Sequence, residues 1–268
     1  MKDLLREILE PAPGALNKML LAREYLQART LQALQDQGVF QRWAFAGGTA
    51  LRFLYSIPRL SEDLDFSLAD AGLNADFSGA LDSIASLFKR EAYDVSIVAK
   101  GEKTVASAFI KFRGLLYELG LSPHASQVFS IKLEVDTNPP AGATMQTSLV
   151  RRHVPLNIFH FDKASLLAGK IHDLFTRKYT KGRDMFDLMW YLGDRSWPAP
   201  NCTLLNAALA QAGWQGPALT VENWRTLLGN RLATVNWKAV REDVRPFLER
   251  PGDAELITRE NLESVLKP

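Results

Sequence analysis

A chain of 268 residues, 47% hydrophobic and 23% charged, is long enough to bury a sizeable core and has the composition of an ordinary globular protein. Its formal net charge of +2 is close to neutral, which excludes attraction of nucleic acid by the global field and leaves that task to a local basic patch. Cys202 is the only cysteine, so an intrachain disulfide is excluded. Residues 1–10 carry charges where a signal peptide needs an apolar run, and no window reaches the roughly 18 apolar residues of a membrane span, so the expectation is a soluble, cytoplasmic protein.

Residues 4–9 form a short amphipathic segment that stops at Pro11-Ala12-Pro13-Gly14. Apolar residues then recur at helical spacing over 17–37 (Met19, Leu20, Ala22, Leu26, Leu31, Leu34), and Gly38 is placed to end that helix, which is predicted to cover a sheet.

Trp43-Ala44-Phe45-Ala46 is a short apolar run that stops at Gly47-Gly48, and residues 49–55 have helix-forming composition, which reads as strand, tight turn, helix. The glycines let the backbone approach a ligand closely. The helix start beyond them presents free N–H groups to an anion such as phosphate, and the Thr49 hydroxyl can add a donor. A second strand is predicted at 64–68. Strand side chains alternate, so Asp63 and Asp65 share one side while Leu64 and Phe66 share the other. Paired carboxylates repel unless a cation lies between them, and Mg²⁺ suits one or two carboxylates together with substrate phosphates. A phosphate-cradling turn followed by such a pair is the machinery of nucleotidyl transfer, in which metal ions stabilise an in-line displacement.

Residues 77–90 follow a helical period with Leu81, Ile84, Ala85, Leu87 and Phe88 on one face, as a crossover helix does. Strands are predicted at 93–98, 105–112 and 128–135, giving a mixed α+β sheet rather than a doubly wound one. In the last of these Ile131, Leu133 and Val135 face one way, and Lys132, Glu134 and Asp136 the other. That face either supplies a third carboxylate, Glu134 before Asp136, or is a polar surface on which Lys132 pairs with Glu134. Arg151-Arg152-His153 precedes a strand at 154–161 and is either a contact for a nucleic-acid backbone or a solvated strand start.

Beyond Asp162 the pattern turns helical, which places a domain boundary between an α/β domain at 1–161, with N-terminal covering helices, and a helical domain at 162–268. Helices are predicted at 163–178, 184–192, 203–212, 221–233 and 236–249. Lys163, Lys170, Arg177, Lys178, Lys181 and Arg183 are opposed only by Asp173, a local charge of +5 over residues 163–183, and form a candidate patch for triphosphate or an RNA backbone. Asp184 and Asp187 lie one turn apart on one helix face. One of them is expected to orient Lys170 or Arg177 while the other approaches the substrate hydroxyl, unless Asp184 caps its helix. Trp214, Trp224 and Trp237 are expected to pack between helices, and the four histidines lack zinc-ligand spacing with Cys202.

Two stretches carry a resemblance. Gly47-Gly48-Thr49-Ala50-Leu51 followed by Arg59-Leu60-Ser61-Glu62-Asp63-Leu64-Asp65-Phe66, and Leu167-Ala168-Gly169-Lys170 followed by Arg177 and Arg183-Asp184-Met185-Phe186-Asp187-Leu188, resemble the AbiEii/AbiGii-type nucleotidyltransferases. These are toxins of bacterial toxin–antitoxin and abortive-infection systems within the DNA polymerase β-like superfamily. The spacing from the glycine turn to the Asp-x-Asp pair is longer here than the minimal superfamily pattern. The resemblance implies a polymerase-β-like domain with a mixed sheet followed by a helical domain. It also implies an NTP substrate with one or two Mg²⁺ ions held by Asp63, Asp65 and either Glu134 or Asp136. Gly47, Gly48, Thr49, Arg59, Ser61 and Arg177 are then nucleotide-binding residues, Lys170 meets the phosphates, and Asp184 or Asp187 is required for activity. By the same resemblance the acceptor is RNA, the 3′ end of a tRNA, and the protein is a toxin silenced by a cognate antitoxin. The rival expectations are a small-molecule or protein hydroxyl as acceptor, and a nucleotide-binding protein without turnover.

Overall fold

The structure is a computed structural model that describes residues 2–100 and 104–267. Its elements in chain order are α1 (Lys2–Leu9), α2 (Gly14–Asp36), β1 (Trp43–Ala46), α3 (Gly47–Tyr55), β2 (Leu64–Leu68), α4 (Phe77–Arg90), β3 (Val95–Lys100), β4 (Val105–Phe112), α5 (Leu115–Glu118), β5 (Phe129–Asp136), β6 (Met145–Arg151) and β7 (Pro155–Phe161). The helices α6 (Lys163–Thr176), α7 (Gly182–Gly193), α8 (Cys202–Gln211), α9 (Trp224–Leu232), α10 (Trp237–Val244) and α11 (Arg259–Leu266) complete the chain. The strands form one mixed sheet in the order β3-β4-β5-β2-β1-β7-β6. β1 runs antiparallel to β2 and parallel to β7, β2 runs parallel to β5, and β4 is antiparallel to both β3 and β5. No helix among the described residues is long and apolar enough to cross a membrane.

Two compact units are present: one of Met1–Leu54, Leu60–Pro139 and Thr147–His160, the other of Tyr55–Arg59, Pro140–Gln146 and Phe161–Pro268. In the first, α4 packs against α2 and β3. Phe45 and Phe66 on neighbouring central strands bring their rings to 5.1 Å, with Trp43 and Phe53 around them. Burial of this apolar strand face is what fixes the register, because a one-residue slip would turn Phe66 outward and Asp65 inward.

In the second unit α6 packs against α7, α8 and α9, while α7 also meets α10 and α11. Four of these helices, α11 through Thr258 among them, start where a short polar side chain accepts from a free N–H. Asp162 accepts from Ser165 at 2.8 Å, Asn201 from Leu204 at 3.1 Å, and Asn236 from Ala239 at 3.1 Å. The α7 N-cap is Lys181 and its helix begins at Gly182, so Asp184 lies inside the first turn and does not cap it.

Candidate active site

The turn from β1 into α3 is built by Gly47, whose φ of +73° is a conformation that L side chains rarely adopt. Ala46 pairs with Asp65 across the antiparallel ladder, and a Cβ added to Gly47 would lie 3.0 Å from the Cβ of Asp65. Glycine is therefore required twice, for backbone geometry and for room beside a carboxylate. The Thr49 hydroxyl is spent locally: it is fully buried and donates to the Asp63 carbonyl, tying α3 to the start of β2. The expected donation of this hydroxyl to a ligand is thus replaced by a structural bond that holds the Asp63–Asp65 segment against the turn. Ser61 is buried too, and its carbonyl accepts from Gln27 at 3.3 Å.

In the parallel ladder Asp65 stands beside Glu134 and Ser67 beside Asp136. Alternation then puts Asp63, Asp65 and Glu134 together on one face, with Asp136 two residues further along β5. Lys132 on the same face reaches Glu134 at 2.6 Å, both side chains being about one-third exposed. Burial lowers the Lys132 pKa, but the Glu134 hydrogen bond and the charges of Glu134, Asp63 and Asp65 outweigh it and raise the net value. This face therefore draws a cation. Asp136 differs, since burial lifts its pKa above the ordinary value despite a hydrogen bond from the Asn138 N–H, and a carboxyl more easily protonated is the poorer cation ligand.

Among the described residues no group of three or more His, Cys, Asp and Glu side chains is arranged to hold a metal ion by itself. Magnesium commonly takes one or two carboxylates and fills its octahedron with water and phosphate oxygens, so a pair such as Asp63 and Asp65 is the kind of donor set that suits an ion arriving with a nucleotide.

The second group of sequence-selected residues lies in the second unit. Arg59 grips Asp187 with Nε at 2.5 Å and Nη2 at 2.6 Å, a fork on a carboxylate, and both side chains are buried. Lys170 on α6 reaches Asp187 at 2.8 Å and Asp184 at 3.0 Å from a position 8% exposed. Arg177 follows α6, bonds to Asp184 and reaches Asp173 at 2.9 Å. Three cations thus meet three carboxylates in one network. Burial disfavours the Lys170 charge, but Asp187 and Asp184 more than compensate and push its pKa above the ordinary lysine value; Asp184, buried as well, is held low by Lys170 and Arg177. Arg59, expected at the nucleotide, is instead a buried partner of Asp187, and Lys170 has its charge already balanced.

A third network escaped the sequence altogether. Glu24 on α2 is 3% exposed and accepts from Arg52 at 2.5 Å, Arg152 at 2.8 Å and His153 at 2.9 Å. Burial pushes its carboxyl up, but the His153 hydrogen bond and the charges of Arg52 and Arg152 bring the pKa down to about 2. Arg152 and His153 therefore brace α2 within the first unit. The available signal was a carboxylate in the buried phase of α2, at 20, 24, 27, 31 and 34, where all five residues are buried.

The family model described as "Nucleotidyl transferase AbiEii toxin, Type IV TA system" matches residues 29–264, most of the chain. The chain belongs to this family. The AbiEii protein is accordingly a nucleotidyltransferase of a toxin–antitoxin family. A comparison with curated proteins found no match. Among solved structures the AbiEii chain is similar to JHP933 from Helicobacter pylori, at 17% identity over 92% of each chain with a TM-score of 0.55. It is similar as well to a putative nucleotidyltransferase from H. pylori, at 17% identity and a TM-score of 0.52, over 92% of this chain and 94% of that one. The nucleotidyltransferase toxin MenT4 from Mycobacterium tuberculosis matches at 13% identity with a TM-score of 0.48, over 99% of this chain and 98% of that one. The two Helicobacter structures share the AbiEii fold, a mixed sheet followed by helices.

Proposed function

We propose that this AbiEii protein transfers a nucleoside monophosphate from a magnesium-bound NTP to a hydroxyl of RNA, at the 3′ end of a tRNA. The observation that carries the reading is the register of Asp65 beside Glu134, with Asp63 on the same face and Gly47 packed against Asp65. Asp63 and Asp65 are assigned as metal ligands, with Glu134 completing the acidic group. Bound there, magnesium supplies charge stabilisation to the in-line displacement. The N–H groups at the start of α3, reached through Gly47 and Gly48, are assigned to the phosphates. Lys170, with two of its three N–H donors on Asp184 and Asp187, is assigned to offer the third to substrate phosphate. Asp187 and Asp184 position that lysine. Transfer forms a bond from the acceptor oxygen to the α-phosphorus, breaks the bond to the leaving pyrophosphate and releases the hydroxyl proton. Membership of a toxin–antitoxin family supports a cognate antitoxin, and the RNA acceptor is the part of this reading that the transfer assay decides.

The test incubates the protein with each labelled NTP, Mg²⁺ and total RNA. Label is expected in RNA with the native chain and in none with Asp65→Ala or after chelation of the metal. Label in a small-molecule or protein fraction alone would overturn the RNA acceptor, and transfer undiminished in Asp65→Ala would overturn the assigned site.

A further inference from the structure

The basic stretch around α6 and α7 divides once the ion pairs are drawn. Lys170 and Arg177 are paired with Asp184, Asp187 and Asp173. The segment joining the two helices, Lys178-Tyr179-Thr180-Lys181, keeps its charge: neither lysine has a carboxylate partner among the described residues, and both are exposed. Between them stands Tyr179, 74% exposed, more than any other large hydrophobic side chain among the described residues. The Lys178 ammonium lies 5.3 Å from the centroid of its ring.

Both ends of this segment are pinned. On one side Arg177 bonds through its side chain to Asp184, and its carbonyl accepts from Arg231 at 3.1 Å. On the other, the Gly182 N–H donates to Asp243 at 2.6 Å, and a Cβ at Gly182 would lie 2.8 Å from the Val244 nitrogen, so α10 clamps that end. A short loop held at both ends presents its tip at little further cost in conformational entropy. A single exposed aromatic is ordinary by itself. An exposed ring between two unneutralised lysines, on a fixed loop, is the combination that single-stranded nucleic acid requires: a face on which a base stacks and flanking charges for the phosphates on either side.

We propose that this loop is a contact for a single-stranded segment of the acceptor RNA, with Tyr179 stacking on a base and Lys178 and Lys181 holding the adjacent phosphates. The inference rests on the reading of the acceptor as RNA and assigns it a place on the protein.

The experiment measures binding of a fluorescent single-stranded oligoribonucleotide to the full chain by anisotropy across a salt series, for the native protein, Tyr179→Ala, Tyr179→Phe and the double variant Lys178→Ala/Lys181→Ala. Tyr179→Ala is expected to bind roughly 5- to 100-fold more weakly, and Tyr179→Phe to keep native affinity, because the ring and not the hydroxyl does the stacking. The double variant should lower the slope of log K against log salt by about 1.4, two single-strand phosphate contacts. In the transfer assay the same variants should raise KM for RNA while KM for NTP and kcat at saturating RNA stay put. Native-like binding by Tyr179→Ala overturns the proposal, as does an unchanged salt slope in the double variant. The two readings fail separately: Tyr179-dependent binding without transfer of label upholds the loop and sinks the transferase chemistry on RNA, whereas transfer to RNA that ignores Tyr179 does the reverse.

Discussion

Asp187→Asn tests whether the second aspartate of the Arg-Asp-x-x-Asp motif acts by holding its neighbours. Native Asp187 has no exposed surface, and its two oxygens receive Arg59 at 2.5 and 2.6 Å and Lys170 at 2.8 Å. An amide in its place keeps one acceptor and turns an NH₂ toward two cationic donors, removing the carboxylate that the buried Arg59 forks. Breaking a buried pair in this way costs about 3–5 kcal/mol. For a chain of this size each kcal/mol shifts the melting temperature by about 2–4 °C, so the expected fall is roughly 6–20 °C. Circular dichroism melts give the shift, and transfer assayed well below both transitions separates loss of fold from loss of chemistry. The double variant Arg59→Met/Asp187→Leu should melt well above the sum of the two single losses, because it removes both charges from the interior together. Melting of Asp187→Asn within about 2 °C of the native protein would refute the network as a structural support.

Acid should expose Glu24 in the same way. Its folded pKa of about 2 lies below the ordinary 4.5, so its contribution of about 3 kcal/mol is complete above pH 4.5 and drains away as pH falls from there toward 2. Glu24→Gln should flatten the stability curve across that window and lower stability at neutral pH; an acid limb identical to the native one would refute the assignment. Gly47→Ala places a Cβ at 3.0 Å from that of Asp65 on a backbone with φ of +73°. It should cost about 1–2 kcal/mol in stability and about 100-fold in kcat through a displaced carboxylate, and full kcat would show that the turn tolerates the methyl. Between the two candidate third carboxylates, Glu134→Gln should abolish transfer while Asp136→Asn leaves kcat within a few-fold of native; the opposite ranking would move the site along β5.

Much of this architecture is written in local pattern. Strands β1, β2 and β4 fall where their apolar residues predict them, and α4 keeps both its predicted ends. Helix α2 begins three residues earlier than its periodicity suggests, because Pro13 supplies the extended residue from which Gly14 can start a turn. Strand β6 escaped prediction for a clear reason. It lies last in the sheet order, and of Met145-Gln-Thr-Ser-Leu-Val-Arg151 only Val150 is buried, so it lacks the alternation that betrays a half-covered strand. The helix α11, with Leu262 its one buried residue, is hidden by the same lack of an apolar face.

The site was legible in residue identity and only partly in role, and burial is what separates the two. A motif such as Asp-x-Asp or Arg-Asp-x-x-Asp records that carboxylates are needed, without saying whether a ligand or the protein's own cations will use them. Pairings of 128 residues' separation, as between Arg59 and Asp187, leave no trace in local spacing. Once folded, the two acidic groups differ in kind. Asp184 and Asp187 are 4% and 0% exposed and satisfied by arginine and lysine, so an incoming ion would have to evict a buried cation. Asp63, Asp65 and Glu134 are only partly buried, and Glu134 is met by Lys132, a flexible ammonium itself one-third exposed. Moving that side chain into solvent costs little, since exposed pairs are worth about 1 kcal/mol or less, as the proposed magnesium site requires. A partly exposed partner at Glu134 and buried partners at Asp184 and Asp187 mark the difference between a carboxylate whose charge can be exchanged and carboxylates held by the protein's own cations.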